Sequence, residues 1–182
     1  MKSVLAILVS FFMLGASNAV AQDLENTLYL DLVYGRVVIE MYPEKAPQTV
    51  ARIKELVRKG FYDGLAFHRV IDGFMAQGGD PKGDGTGGSG KNIPAEFNDM
   101  PHLRGTVSMA RASDPNSADS QFFICFQPNH HLDGQYTVWG RVISGMEFVD
   151  QLKRGEGPGF KNPDKIIRMQ VAADAEKAEA KP

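Results

Sequence analysis

Short apolar runs recur from Thr27 to Val171, and glycine, proline or aspartate cuts off nearly every one. That punctuation constrains the fold more than any other feature. With 19 glycines and 10 prolines in 182 residues, turns are frequent and elements short. Thr27 to Val33 alternates through Leu28, Leu30 and Leu32; Tyr34-Gly35 is a turn signal; Arg36 to Met41 alternates again through Val37, Ile39 and Met41. The pattern predicts a β-hairpin. Further strands are expected over Phe67–Val70, Phe74–Gln77, Thr106–Ala110, Gln121–Phe126, Thr137–Ile143 and Lys165–Val171. Only two stretches have helical spacing. Val50, Ile53, Leu56 and Val57 follow Pro47 and stop at Gly60, with proline near the start and glycine past the end. A shorter one runs from Glu147 to Lys153, with Phe148, Val149 and Leu152 inward. Many strands, few helices and no βαβ rhythm predict a mainly β, closed or nearly closed antiparallel structure.

The length suits one ordinary domain. Hydrophobic residues at 43% and charged residues at 23% supply a single core. A net charge of -2 leaves no basic excess for phosphates, which argues against nucleic acid as a partner. Cys125 is the sole cysteine, so no internal disulfide forms and the core must suffice. It lies in the apolar run Gln121–Phe126 and reads as a small buried hydrophobe. At the N-terminus, Lys2, the apolar run Val4–Leu14 and Ala19-Val20-Ala21 have the form of a secretory signal peptide. We expect residues 1–21 to be cleaved, residues 22–173 to form the domain, and the Ala-, Glu- and Lys-rich tail 174–182 to be disordered. Once the leader is removed, nothing later suggests a membrane segment. The expected location is outside the cytoplasm, the periplasm in a Gram-negative source.

Several motifs fail on context. Gly83–Gly88 fits G-x-G-x-x-G and Gly85–Lys91 fits G-x-x-x-x-G-K. Asn92 stands where a phosphate loop needs a hydroxyl, and Pro94 forbids the helix that should open there. A flexible glycine-rich loop is expected instead. His130-His131 and His102 have no cysteine or carboxylate spacing to complete a metal site, and adjacent histidines on an extended chain face opposite ways. We therefore expect no metal and no cofactor. A Ser-His-Asp set is compatible with the composition, yet no G-x-S-x-G elbow is present.

One block stands apart: Phe67-His68-Arg69-Val70-Ile71-Asp72-Gly73-Phe74-Met75-Ala76-Gln77-Gly78-Gly79-Asp80. Two strands around an Asp-Gly turn would aim Arg69, Phe74, Met75 and Gln77 at one concave surface. Periodicity alone favours Phe74 and Met75 in the core and Arg69 as a surface charge. The block closely resembles the signature of the cyclophilin family of peptidyl-prolyl cis-trans isomerases. Gly105–Arg111, Ser120–Ile124 and Leu132-Asp133-Gly134 resemble the same family's downstream motifs, in order, and the similarity spans about Thr27 to Val171.

The resemblance implies a closed antiparallel β-barrel capped by two helices, and an isomerase (rotamase) that turns X-Pro bonds to assist the folding of exported proteins. It implies that Arg69 is catalytic and that Phe74, Met75, Phe123 and Leu132 hold the proline ring. Gln77 would bond the substrate backbone; Ala110, Arg111 and Gln121 would form the groove for residues preceding proline. His131 stands where well-studied members carry tryptophan, and Tyr136 where many carry a pocket histidine. Asp119 replaces a usual glycine, a position that calls for a residue tolerant of left-handed backbone. These departures bear on fine specificity, and they imply weak affinity for cyclosporin-type ligands. The expected partners are proline-containing polypeptides, met by a monomer. A proline-peptide binder without catalysis is the competing class, and it would have no need of Arg69.

Overall fold

The computed structural model describes residues 23–180; the expected leader, 1–21, lies outside them. Eight strands form one antiparallel sheet: β1 (Thr27–Leu32), β2 (Gly35–Met41), β3 (Arg69–Ile71), β4 (Met75–Gly78), β5 (Thr106–Met109), β6 (Phe122–Cys125), β7 (Val138–Ser144) and β8 (Arg168–Val171). Their order is β3-β4-β6-β5-β7-β2-β1-β8. The expected strands are all present, each within a few residues of its sequence bounds.

The sheet is a partial barrel, which corrects the expectation of closure. Edge strands β3 and β8 do not pair with each other along a ladder. Isolated bridges join nearby segments instead, Ala66 to Lys165 and Val70 to Gly155. The edges are short, and the long connection from β7 to β8 covers the edge of β3, so its backbone groups find partners without another strand.

Three α-helices accompany the sheet where two were expected: α1 (Pro47–Arg58), α2 (Met146–Val149) and α3 (Ala172–Glu179). Thr49, Val50, Ile53, Leu56 and Val57 of α1 are buried. Ala46 offers no side-chain cap; the Glu96 carboxylate accepts from the backbone N–H of Gln48 at 2.9 Å and Thr49 at 2.8 Å, doing the work of an N-cap from a distance. α3 corrects the expected disorder of the tail. Alanine, glutamate and lysine are strong helix formers, and tertiary ties hold the segment: Ala175 is buried, Arg58 pairs with Asp174 at 2.8 Å, and the Tyr29 hydroxyl donates to Glu176 at 3.2 Å.

Alternation along the strands makes two apolar clusters. Leu28, Leu30, Ile39, Val70, Ala76, Val107, Phe122, Ile124 and Trp139 point into the main core. The intervening residues of β4 and β6 point the other way, so Met75, Phe123 and Cys125 join Leu132 in a second cluster. This is the pleat at work: one-residue steps put neighbours on opposite faces. The wholly apolar run Phe122–Cys125 is buried throughout because both of its faces are covered.

Candidate active site

Register builds the site. Arg69 of β3 lies opposite Gln77 of β4, which lies opposite Phe123 of β6, which lies opposite Ser108 of β5. The next row on that face holds Ile71, Met75 and Cys125. The Asp72-Gly73 turn closes the β3–β4 hairpin, with Gly73 at φ 64° in the left-handed region that glycine enters freely. The Phe74 carbonyl accepts from Phe126 N–H at 2.9 Å and from Asn129 Nδ2 at 3.1 Å, which fixes the residue beyond the strand end.

Arg69, Phe74, Met75, Gln77, Ala110, Arg111, Phe123, Leu132 and Tyr136 line one cavity of about 130 Å³. Met75, Phe123 and Leu132 form its buried apolar wall. Gln121 lines the adjoining groove, together with Gly85, Thr86, Ala112 and Asp119. His131 lies outside the cavity lining. Its ring stacks on Phe74 at 5.8 Å, from a 3-10 turn over His130–Leu132 rather than the extended chain expected there; His130 turns instead to Asp133, at 2.9 Å.

The Arg69 guanidinium is held at the mouth of the cavity. Its Nε donates to Glu156 at 2.9 Å, and its Nη1 reaches the Gln77 side-chain oxygen at 3.5 Å. Gln77 Nε2 donates to Gln121 at 2.9 Å, and Gln121 Nε2 donates in turn to the carbonyls of Gly85 at 3.0 Å and Gly87 at 2.8 Å. A relay of amides thus ties the arginine to the glycine-rich loop. That loop is braced, contrary to the flexibility expected of it. Asp80 accepts from the N–H groups of Lys82, Asp84 and Gly85. Asp119 accepts from those of Ser89, Gly90 and Lys91, and from the Ser89 hydroxyl. Asp119 does this without left-handed backbone: among the described residues, Asn162 is the non-glycine with positive φ. A Cβ at Gly87 would collide with the Asp80 carboxylate, so a side chain there would force Asp80 or the loop to shift.

Arg111 is committed to its own wall. Its guanidinium donates to the carbonyls of Gln135, Ala112 and Ser113 and lies 4.6 Å from the centre of the Tyr136 ring. Tyr136 packs edge-on to Phe123 at 5.8 Å.

Sequence reasoning assigned no role to Glu156, nor to the buried set of His102, Asp133 and Ser108. Glu156 belongs to the β7–β8 connection, far from Arg69 in sequence. Val70 and Gly155 exchange both backbone hydrogen bonds, at 2.8 and 2.9 Å, and this places the following residue beside Arg69. Behind the pocket, His102 Nδ1 meets Asp133 at 3.0 Å and its Nε2 meets the Ser108 hydroxyl at 3.1 Å. The order Ser-His-Asp is that of a hydrolase relay, but Ser108 and His102 are fully buried and no substrate atom reaches the hydroxyl. The His102 ring instead stacks behind Phe123 at 6.0 Å. Burial lowers the His102 pKa against the pull of Asp133, so the ring is neutral at pH 7. Hydrogen bonds, led by the His102 backbone N–H, bring Asp133 down to about 2. Burial raises the Cys125 thiol to about 11, which leaves it protonated and inert at neutral pH.

A family model described as cyclophilin type peptidyl-prolyl cis-trans isomerase matches residues 27–171. The chain belongs to the cyclophilin family. This cyclophilin is 53% identical over 172 residues to a probable peptidyl-prolyl cis-trans isomerase of Brucella suis, covering 86% of this chain and 88% of that one. It is 49% identical over 123 residues to peptidyl-prolyl cis-trans isomerase B of Bacillus subtilis, covering 66% and 85%. Among solved structures it is similar to a cyclophilin from Hirschia baltica, with TM-score 0.77, 32% identity, and 84% and 76% of the two chains covered. It is also similar to a Cryptosporidium parvum cyclophilin type isomerase crystallised in the presence of the dipeptide Ala-Pro, with TM-score 0.74, 29% identity, and 80% and 98% covered. The chain is an isomerase of this family, and the enzymatic reading prevails over that of a binding module.

Proposed function

We propose that this enzyme turns X-Pro bonds by non-covalent stabilisation of the twisted amide, with Arg69 as the catalytic group. The observation that carries the reading is a guanidinium held by two partners beside a cavity of about 130 Å³ that has a buried apolar wall. An X-Pro bond isomerises unaided in tens to hundreds of seconds, over a barrier of about 18–20 kcal/mol set by amide resonance. An acceleration of about 10³–10⁵ requires only about 4–7 kcal/mol. Preferential binding of the twisted form supplies that.

Phe74, Met75, Phe123 and Leu132 hold the ring while the preceding residue rotates in the groove of Ala110, Arg111 and Gln121. In the twisted amide the prolyl nitrogen regains its lone pair, and Arg69 donates to it beside a dry wall, where charge-assisted bonds are strong. Arginine suits the task because its charge is permanent and its fork rigid. No side chain forms a covalent bond and no proton leaves the site. The amide relay through Gln77 and Gln121 presents polar groups to the substrate backbone.

The leader-like N-terminus supports a further part of the reading: the enzyme works outside the cytoplasm on proline-containing exported chains. A protease-coupled peptide assay on purified protein tests the activity. The expected result is acceleration of Ala-Pro bond isomerisation; binding of the peptide with no acceleration would favour a pure binding module. Intact-mass measurement on native material tests processing, with loss of residues 1–21 expected.

A further inference from the structure

Beside Arg69 lies a second cavity of about 540 Å³, bounded by the glycine-rich loop on one side and the segment after Gly155 on the other. Its lining includes His68, Asp84, Glu156, Pro158 and Phe160. His68 is only 7% exposed. Neither of its nitrogens makes a well-aligned hydrogen bond, the Ala66 carbonyl standing near the ring without the geometry of one. Its Nε2 lies beneath Gly85, in ordinary contact range of a Cβ added there, at 3.9 Å. A buried polar group left without a partner is costly and rare, and this residue borders a cavity that Arg69 also lines.

The charges there are unbalanced. Arg69 and Glu156 neutralise each other. Asp84 accepts from the Thr86 N–H and hydroxyl, bonds that hold its pKa below the usual range. Lys82 acts on it from nearby, yet no cation among the described residues forms an ion pair with it. Burial lowers the His68 pKa, so one ring nitrogen carries a free lone pair at neutral pH. An ionised carboxylate, the edge of an uncharged imidazole and the flat Phe160 ring, whose centre Lys153 Nζ already approaches to 6.0 Å, make a site for a cation on an apolar stem, the chemistry of lysine and arginine.

We propose that this cavity is a specificity subsite that takes a lysine or arginine side chain flanking the substrate proline, so that the enzyme prefers basic segments. The proposal rests on the placement of the reaction at Arg69. Isomerisation of matched peptides tests it, with Ala, Lys or Glu at each of two positions on either side of the proline. Lys should exceed Glu in kcat/KM by about three- to fivefold at one flanking position, the scale of a single partly exposed ion pair. Asp84→Asn retains an oxygen for Thr86; it should bring that ratio close to one and leave the all-Ala peptide unchanged. His68→Phe should weaken the preference as well. Equal Lys and Glu rates overturn the proposal, as does a preference of the same size at every position, which is the mark of long-range attraction to a net negative protein. A preference that survives Asp84→Asn overturns it too. All-Ala turnover that ignores Arg69→Ala would instead displace the reaction from this site, a distinguishable failure.

Discussion

At the scale of single residues, Arg69 and Glu156 define how the site is poised. A carboxylate on Nε fixes the plane of the guanidinium but also tempers its charge. Orientation is the larger effect here, because a charge-assisted bond to a small, moving target loses strength steeply with misalignment. Glu156→Ala should therefore lower kcat by about two- to fivefold with little change in KM, the worth of one partly exposed pair. Glu156→Gln, which still offers an oxygen to Nε, should restore most of it. Faster turnover in Glu156→Ala would show that charge damping governs. Hairpin spacing allows Arg69, Phe74, Met75 and Gln77 to meet locally, but by itself it favoured core positions for Phe74 and Met75; all four were legible in one sequence block through its family resemblance. Glu156 was not, since its position depends on a backbone exchange between Val70 and Gly155 that no local pattern encodes. His131 belongs to this scale as well. It lies on Phe74 at the rim, so His131→Trp should enlarge an existing stack. Cyclosporin affinity should tighten by about 1–3 kcal/mol, the gain from one further buried aromatic surface. Titrating both proteins with the drug in one peptide assay decides this; equal affinities would remove His131 as the determinant.

At the scale of elements, the glycine-rich loop is a strut of the site. Sequence context argued against nucleotide chemistry there. Its rigidity stayed hidden, because rigidity comes from Asp80 and Asp119, carboxylates that precede and follow the loop and meet it only in the fold. Asp119→Ala strips acceptors from Ser89, Gly90 and Lys91. It should cost about 0.5–1.5 kcal/mol of stability, the net worth of a hydrogen bond whose donor can turn to water. Hydrogen exchange should quicken at those three amides, and activity should fall as the carbonyls under Gln121 shift. Unchanged exchange there would mean that the glycine backbone holds itself. The strands were legible for a different reason: a period of two survives in any half-buried sheet. The open seam was not, because closure depends on whether two distant edges pair. The same holds for α3, whose sequence has helix propensity but whose order comes from Arg58, Tyr29 and the burial of Ala175.

At the scale of the whole molecule, stability and pH are linked through buried imidazoles. Burial lowers the pKa of both His68 and His102, while in the unfolded chain both return to about 6.5. The unfolded state then binds more protons as pH drops, so the stabilisation is complete above about pH 6.5 and is lost as pH falls toward the folded values. Asp133 adds a second loss at lower pH, from its ordinary range down toward about 2. Thermal unfolding should show a melting temperature that is level near neutrality and declines below about pH 6.5. His102→Gln should flatten part of that decline while loosening the wall behind Phe123. An identical slope in the variant would assign the effect to other groups.

The central claim is that a fixed guanidinium lowers the barrier to rotation without a covalent step. Exchange NMR on a proline peptide, with wild type and Arg69→Ala at equal occupancy, measures binding and rotation separately. Loss of one charge-assisted bond made chiefly in the twisted state should slow on-enzyme exchange about 10–150-fold, equivalent to about 1.5–3 kcal/mol, with peptide affinity and circular dichroism little altered. Wild-type exchange in a well-folded Arg69→Ala protein would contradict the account.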